Sequence, residues 1–194
     1  MADFLYSLDK SVFYFFNHSL HNSVLDVVMV FVTRTDTLHF RIFYGVVWLS
    51  LMVKGGRRGR TVALLLIPVI AASDQLSSSV IKHLVSRMRP CFTLPDVTLL
   101  VPCGSGLSFP SSHAVNNFAA ATLFSFYYRR WTWAFVTYAS IVALSRPYVG
   151  VHYPSDALGG AVIGTFVCLV ILFFWLFVEK SLARRAEQQP ANSA

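Results

Sequence analysis

The stretch ALGGAVIGTFVCLVILFFWLFV, residues 157–178, contains no charged side chain. A helix needs roughly 20 predominantly apolar residues to cross a bilayer. Uninterrupted apolar runs of this length are typical of transmembrane segments and not of soluble domains. The stretch therefore predicts a membrane-spanning helix near the C-terminus.

Four further apolar stretches are long enough to cross or nearly cross a bilayer. They are Leu38–Val53, Thr61–Ile81, His113–Tyr128 and Trp131–Ser145. The composition agrees with this reading, because 55% of the residues are hydrophobic and only 13% are charged, against about 25% charged residues in a typical soluble domain. We predict an all-α integral membrane helix bundle with five transmembrane helices, or six if the segment before Leu38 supplies another.

The N-terminal segment predicts an amphipathic helix that lies on the membrane surface. Apolar residues recur there at helical spacing, with charged residues between them. No cationic region or cleavage site typical of a signal peptide is visible. We expect one membrane-embedded domain over residues 1–185 and a flexible C-terminal tail over residues 186–194. The apolar positions of the helix are Phe4, Leu5, Leu8, Val12, Phe15 and Phe16.

Most basic residues form three clusters that predict the orientation of the chain. Cytoplasmic loops carry an excess of lysine and arginine, and with five spans all three clusters fall on one side. The C-terminus is then cytoplasmic, and the net charge of +7 needs no nucleic-acid partner. The outer side receives residues 89–112 and 146–156. The clusters are Lys54 with Arg57, Arg58 and Arg60; Arg129 with Arg130; and Lys180 with Arg184 and Arg185.

Four cations depart from this bias and fall at the outer face, namely Lys82, Arg87, Arg89 and Arg146. A cation near lipid is costly unless it has a partner. The planar fork of arginine matches phosphate oxygens, and lysine adds a point charge. We interpret the four cations as a site for a phosphate-bearing anion; the alternative is simple contact with lipid headgroups.

Three blocks of sequence contain most of these cations. They are Lys82 followed after six residues by Arg89-Pro90; Phe109-Pro110-Ser111-Ser112-His113; and Ser145-Arg146, followed by His152 and Asp156. In this order the blocks, a motif core over residues 82–156, resemble the type 2 phosphatidic acid phosphatase superfamily. That family includes membrane lipid phosphatases, bacterial undecaprenyl pyrophosphate phosphatases and, more distantly, soluble vanadium haloperoxidases. Its second block usually has glycine where this chain has Ser112.

The resemblance implies a role for each matched residue. His152 is the expected nucleophile, Asp156 orients its ring, and His113 is the expected general acid. An imidazole is nucleophilic only when it is neutral, and a carboxylate on its other nitrogen fixes the tautomer. The phosphate-binding residues implied are Lys82, Arg89, Ser111, Ser112 and Arg146.

The implied function is a lipid phosphatase that acts through a phosphohistidine at the outer face of a bacterial inner membrane, with undecaprenyl pyrophosphate as the first candidate substrate. Phosphatidylglycerophosphate and lipid A are the next candidates. Two other classes stay open: a lipid-to-lipid phosphotransferase, and a non-catalytic lipid-binding or transport protein. Complete matching of the catalytic residues argues against the last.

Metal binding is the other interpretation of the histidines. Zinc sites gather histidine, cysteine and carboxylate ligands, whereas each histidine here is surrounded by cations. The family resembled also works without metal. We therefore expect neither a metal nor a cofactor.

A few residues outside the motif carry expectations of their own. Cys91 and Cys103 share the outer loop and could form a disulfide if that side is oxidising. Cys168 is expected to be a packing residue. Asp74 is expected to form hydrogen bonds within the bundle, near Gln75 and neighbouring serines, and Arg87 is expected to reach a second phosphate or a headgroup.

Overall fold

The structure is a computed structural model that describes residues 2–35, 37–104 and 106–187. Within these ranges the fold is all-helical, as predicted, and an isolated bridge between Met88 and Leu107 is the only strand-like pairing. The helices are α1 Ala2–Tyr14, α2 Ser23–Thr33, α3 Leu38–Lys54, α4 Gly56–Gln75, α5 Lys82–Val85, α6 Pro90–Thr93, α7 Ser112–Tyr127, α8 Thr132–Tyr148 and α9 Pro154–Glu187. Two π-helical segments, Phe15–Ser19 and Leu76–Ile81, extend α1 and join α4 to α5.

Two of the described helices are long and apolar enough to cross a membrane. One is the continuous helix Gly56–Val85 with 30 residues, and the other is Pro154–Arg185 with 32 residues. At 1.5 Å per residue, 30 residues extend about 45 Å, more than the hydrocarbon core of a bilayer. The helices α3, α7 and α8 have 17, 16 and 17 residues, so the predicted number of five spans stays a prediction.

The ends of the two long helices follow from local sequence. Ser86 adopts a left-handed conformation with a φ of 50°, and its N–H bonds the Lys82 carbonyl at 2.9 Å, which ends α5. Pro154 begins α9, where its missing N–H costs nothing. The carboxylate of Asp156 then accepts the Tyr153 N–H at 2.8 Å, as in a capping box.

The bundle is held together by close packing of α7 against α9. A Cβ atom added to Gly164 would lie 2.0 Å from the Val115 carbonyl oxygen, so the two backbones touch. Small residues allow this approach, which is common between membrane helices. The core beside this contact joins α4, α7 and α9 through Val62, Leu65, Val69, Ala119, Leu123, Cys168 and Leu172.

The three basic clusters lie at one end of the bundle. Arg57, at the start of α4, pairs with Glu179 near the end of α9 at 3.3 Å. The Arg58 guanidinium lies 6.0 Å from the centre of the Tyr128 ring, beside Arg129. Because α4 and α9 both extend away from this end, Lys82 and Pro154 lie at the opposite end, where the motif residues gather.

Helix α1 packs across that opposite end. Phe13 is fully buried, with its ring 5.9 Å from the ring of Tyr153. Phe4, Leu5 and Leu8 point outward and are more than half exposed. The predicted N-terminal helix is therefore present and presents an apolar face. The predicted C-terminal tail lies outside the described residues from position 188 onward.

Candidate active site

The three sequence blocks converge at the end of the bundle opposite the basic clusters. Each block is placed by a helix end or by the turn next to one. Lys82 lies at the start of α5, Arg89 just before α6, Ser111 to His113 at the start of α7, Arg146 near the end of α8, and His152 and Asp156 at the turn into α9.

The ring of His152 is buried and contacted on both nitrogens. Its Nδ1 lies 3.5 Å from Asp156 Oδ2 and 3.4 Å from Ser108 Oγ. Its Nε2 lies 3.4 Å from Nη1 of Arg89. A guanidinium can only donate, so a lone pair on Nε2 suits this geometry. This arrangement leaves a lone pair on Nε2, on the side of the ring away from Asp156.

The surroundings keep His152 neutral. Burial lowers the pKa of His152 to about 4, and the cations of Arg146 and Arg89 act in the same direction. The hydrogen bond to Asp156 opposes them. At neutral pH the imidazole therefore keeps its lone pair, the form in which a histidine can act as a nucleophile or a base.

A glycine positions the loop that carries His152. Gly150 has a φ of 88°, and a Cβ atom there would lie 2.6 Å from the Thr98 carbonyl oxygen. Few other residues adopt that φ without strain. The turn between α8 and α9 is thus packed tightly against the outer loop.

Asp156 is fully buried and surrounded by donors. Its Oδ2 accepts the Tyr153 N–H and a short hydrogen bond from the Ser108 hydroxyl. Its Oδ1 accepts from Nη1 of Arg87 at 2.8 Å. A buried carboxylate is tolerated when donors surround it in this way, and Asp156 is held where it faces Nδ1 of His152.

Thr33, the last residue of α2, joins the other histidine to an arginine. Nε2 of His113 lies 3.1 Å from the Thr33 carbonyl oxygen, and a carbonyl only accepts, so this nitrogen carries a hydrogen. Nη1 of Arg146 donates a short hydrogen bond to the Thr33 hydroxyl. Thr33 thus holds His113 and Arg146 side by side.

Lys82 is tied to the start of α7. Its Nζ donates to Ser112 Oγ at 3.0 Å, and Ser78 Oγ lies 3.3 Å from the same oxygen. Ser111, not Ser112, is the residue at the N-cap of α7. The serine found in place of the family's glycine therefore binds Lys82 and is not the cap.

Two buried donors in the site have no hydrogen-bond partner among the described residues. They are the hydroxyl of Ser111 and Nε of Arg89. The Ser111 N–H donates to the Asp156 carbonyl at 3.1 Å and Arg89 Nη1 contacts His152, so both residues are next to the His152–Asp156 pair. A buried donor without an acceptor is costly, and phosphate oxygens are suitable acceptors.

Arg87 does not reach toward a second phosphate, and that expectation is wrong. Its Nη2 lies 2.6 Å from Asp9 Oδ2, and its Nη1 lies 2.8 Å from Asp156 Oδ1. Burial alone would lower the pKa of Arg87, but the Asp156 and Asp9 carboxylates raise it overall. Arg87 is engaged by two carboxylates because these offset the cost of burying its charge.

The other expectations outside the motif are partly met. The carboxylate of Asp74 accepts from the amide of Asn116 at 3.3 Å, so it bonds within the bundle, but its partner comes from α7. Cys168 is fully buried, as expected of a packing residue. Cys91 and Cys103 form a disulfide in the structure, with their Cα atoms 6.4 Å apart.

Asp9, Thr33 and Ser108 are in contact with residues of the site and were missed by the sequence reasoning. Asp9 and Thr33 are separated from their partners by long stretches of chain, so no local spacing points to them. Ser108 directly precedes the second block. That position was the one signal that could have identified it.

Comparisons with known proteins agree with this geometry. The chain is 31% identical over 160 residues to undecaprenyl-diphosphatase BcrC of Bacillus subtilis, which covers 80% of this chain and 77% of that protein. It is 28% identical over 197 residues to lipid A 4'-phosphatase of Bacteroides thetaiotaomicron, which covers 98% of this chain and 85% of that protein.

Solved structures share the fold. The crystal structure of Aquifex aeolicus LpxE superimposes with a TM-score of 0.72 at 25% identity, over 85% of this chain and 94% of that one. A PAP2-type phosphatidylglycerolphosphate phosphatase from Bacillus subtilis superimposes with a TM-score of 0.68 at 23% identity, over 88% of this chain and 85% of that one.

Residues 62–180 match the family described as the PAP2 superfamily. This range is more than half of the chain and contains all three motif blocks. The relatives named above are phosphatases. The chain therefore belongs to the PAP2 superfamily and is a phosphate ester hydrolase.

Proposed function

We propose that this phosphatase hydrolyses undecaprenyl pyrophosphate at the outer face of a bacterial inner membrane, through a phosphohistidine on His152. One observation carries the mechanism. A buried neutral imidazole lies against Nη1 of Arg89, and Arg89 Nε and Ser111 Oγ are buried donors without a partner among the described residues. Such a pocket suits a phosphoryl group that is about to bond to nitrogen.

In the first step the lone pair on Nε2 of His152 attacks the terminal phosphorus. The bond from phosphorus to the leaving oxygen breaks, and its electron pair stays on that oxygen. His113, protonated in the complex with the anionic phosphate, whose charge favours the imidazolium, gives the leaving oxygen a proton and becomes neutral. Asp156, on the Nδ1 side of His152, stabilises the positive charge that grows on the phosphorylated ring.

In the second step water replaces the lipid. Neutral His113 takes a proton from the water as its oxygen attacks phosphorus. The bond between phosphorus and Nε2 breaks, and the electron pair returns to His152. Inorganic phosphate leaves, and both histidines are restored to the forms in which they began the cycle.

The cations provide charge stabilisation through both steps. Phosphoryl transfer depends mainly on positioning and on neutralising the equatorial oxygens. Arg89 and Arg146 approach from the outer loop and from α8, and Lys82 approaches from α5. These three cations are enough to neutralise the charge of the phosphate, and we propose that no metal ion is required.

A cleft beside the site is suited to a lipid chain. It measures about 520 Å³ and lies between α2 and α3, lined by the apolar side chains of Val27, Val30, Phe31 and Phe40 together with Asp26, Arg34, Thr37 and His39. Thr33, which contacts both His113 and Arg146, is adjacent to Arg34 in sequence. This supports a substrate whose phosphate enters the site while its chain stays in an apolar environment.

The choice of undecaprenyl pyrophosphate is supported by the relative named undecaprenyl-diphosphatase. Lipid A is the second candidate, because the lipid A 4'-phosphatase aligns over nearly the whole chain and LpxE shares the fold. The basic clusters at the opposite end of the bundle support the proposed orientation. In this orientation the site lies outside, the C-terminus lies in the cytoplasm, and the chain crosses the membrane five times.

A substrate panel tests the proposal. Purified protein in detergent, with a chelator present and no lipid acceptor, is given undecaprenyl pyrophosphate, lipid A, phosphatidylglycerophosphate and phosphatidic acid. We expect release of inorganic phosphate, fastest from undecaprenyl pyrophosphate, and none from the His152→Ala variant. Faster release from lipid A would reassign the substrate. Release only after addition of a lipid acceptor would indicate a phosphotransferase, and undiminished activity of His152→Ala would refute the nucleophile.

A further inference from the structure

Helix α1 contributes a carboxylate to the network behind the nucleophile. Asp9 is nearly buried, and its Oδ2 lies 2.6 Å from Nη2 of Arg87. Through Nη1 the same guanidinium binds Asp156 Oδ1 at 2.8 Å. Arg87 therefore connects a residue of the N-terminal helix to the residue that orients His152.

The guanidinium of Arg87 is restrained on several sides. Its centre lies 3.8 Å from the centre of the Tyr153 ring, and Nη1 also donates to Ser155 Oγ at 2.7 Å. The backbone behind it is held as well, since the Ser108 N–H donates to the Arg87 carbonyl at 2.6 Å. A cation restrained in this way can set the geometry of the carboxylate it binds.

Asp9 also holds the first turn of α9. The Ser155 N–H donates to Asp9 Oδ1 at 2.9 Å, and the Ser155 hydroxyl donates a short hydrogen bond to Asp9 Oδ2. An anion is favourable at a helix N-terminus, where backbone N–H groups lack partners. Asp9 thus fixes Arg87 and the residue next to Asp156 at the same time.

The two oxygens of Asp156 are held by different partners. Oδ2 faces Nδ1 of His152 and accepts from Ser108 and Tyr153. Among the hydrogen bonds of the described residues, Oδ1 accepts from Arg87 alone. Together with the donors on Oδ2, Arg87 therefore restrains the rotation of the carboxylate about its Cβ–Cγ bond, and with it the direction in which Oδ2 points.

We propose that Arg87 and Asp9 are positioning residues for Asp156, so that helix α1 is part of the machinery that orients His152. This inference rests on the proposed role of His152. Neither residue contacts the phosphate, because the Nη atoms of Arg87 are engaged by carboxylates. Their loss slows the chemical step and leaves phosphate binding unchanged.

The test compares kcat, KM and inhibition by inorganic phosphate in full-length variants. We expect Asp9→Asn and Arg87→Gln each to lower kcat by roughly 10- to 100-fold, the factor that corresponds to loss of a hydrogen bond to a charged group, with KM and the phosphate inhibition constant unchanged. Asp9→Glu should recover part of the loss. The double variant should lose less than the product of the two single losses, because part of the effect of Asp9 passes through Arg87.

The Arg57–Glu179 pair offers a matched control. It joins α4 and α9 at the other end of the bundle and is exposed, so Glu179→Gln should keep wild-type kcat. Thermal unfolding in detergent identifies any variant that has lost its fold. If Arg87→Gln does not fold, the milder Asp9→Asn variant is used to test the proposal.

Different results would contradict different parts of the proposal. A raised KM and weaker phosphate inhibition in Arg87→Gln would mean that Arg87 binds substrate. Wild-type kcat in both variants, or additive losses in the double variant, would overturn the positioning role. Failure of the proposed function is separate, because it would appear as turnover by His152→Ala whatever the behaviour of Asp9.

Discussion

Replacing Ser108 with alanine removes one hydrogen bond from the buried pair His152–Asp156 and little else. The Ser108 hydroxyl is fully buried, donates to Asp156 Oδ2 and lies 3.4 Å from Nδ1 of His152. Alanine keeps the backbone and the Cβ atom. The change therefore isolates the hydroxyl that helps to hold Asp156.

The size of the effect follows from the remaining partners. A hydrogen bond to a charged group contributes about 1.5–3 kcal/mol. Asp156 keeps the Tyr153 N–H and Arg87 after the substitution, so the lower end of that range applies. About 1.5 kcal/mol corresponds to roughly a tenfold change in rate. We expect Ser108→Ala to lower kcat by about that factor, with KM unchanged because the hydroxyl is directed at Asp156.

The assay is the rate of phosphate release at saturating lipid substrate, and Ser77→Ala is the matched control. Ser77 is equally buried and lies outside the three motif blocks, and its hydroxyl donates to the Asp74 carbonyl of its own helix at 3.1 Å. The control should keep wild-type kcat. Equal rates for Ser108→Ala and wild-type protein would refute the reasoning that Asp156 must be held to orient His152.

Further predictions follow from burial and packing. Burial lowers the pKa of His152 to about 4, below its value near 6.5 in an unfolded chain. The rate of phosphoenzyme formation should therefore show no fall caused by protonation of His152 between pH 7 and 5. The thermal stability that His152 contributes is complete above about pH 6.5 and is lost as the pH falls through 4. Protonation of the nucleophile already at pH 6 would contradict this prediction. Gly164→Ala would place a Cβ atom 2.0 Å from a carbonyl oxygen of α7 and should lower the free energy of unfolding by about 1–3 kcal/mol. The control Gly45→Ala has open space around the added Cβ atom and should not lower the melting temperature. Equal melting temperatures for the two variants would argue against the close α7–α9 contact. Non-reducing mass spectrometry should find Cys91 linked to Cys103, and two free thiols in protein prepared without reductant would exclude the bond.

Much of the fold was predictable because membrane spans are recognised by composition. The apolar stretch 157–178 lies within α9, and Leu38–Val53 corresponds closely to α3. The exact number of spans was not predictable from the sequence, because α3, α7 and α8 have 16 or 17 residues and extend only about 24–26 Å. Helices of that length cross a bilayer only with help from their neighbours.

The candidate site was predictable where residue types recur at fixed spacing. The segments containing Lys82, Arg89, His113 and His152 meet at one end of the bundle. The supporting contacts were not predictable, because they join distant parts of the chain. Thr33 contacts residues of α7 and α8, and Asp9 contacts the turn before α9. Such contacts are set by how the N-terminal helices pack.

Arg87 shows why spacing alone misleads. In the sequence it stands two residues before Arg89 and resembles another phosphate ligand. In the structure the two side chains have different partners, since Arg87 binds carboxylates and Arg89 lies against His152. The positions of Asp9 on a separate helix and of Asp156 at the start of α9 decide between the two roles.

Trapping the phosphoenzyme tests the central claim most directly. Wild-type protein and His152→Ala are mixed with substrate that carries radioactive terminal phosphate, quenched in alkali within one turnover and digested for mass spectrometry. We predict an acid-labile, alkali-stable phosphate on His152 in the wild type and no labelled protein in the variant. Continued turnover without labelled protein, or label on the His152→Ala variant, would contradict the account.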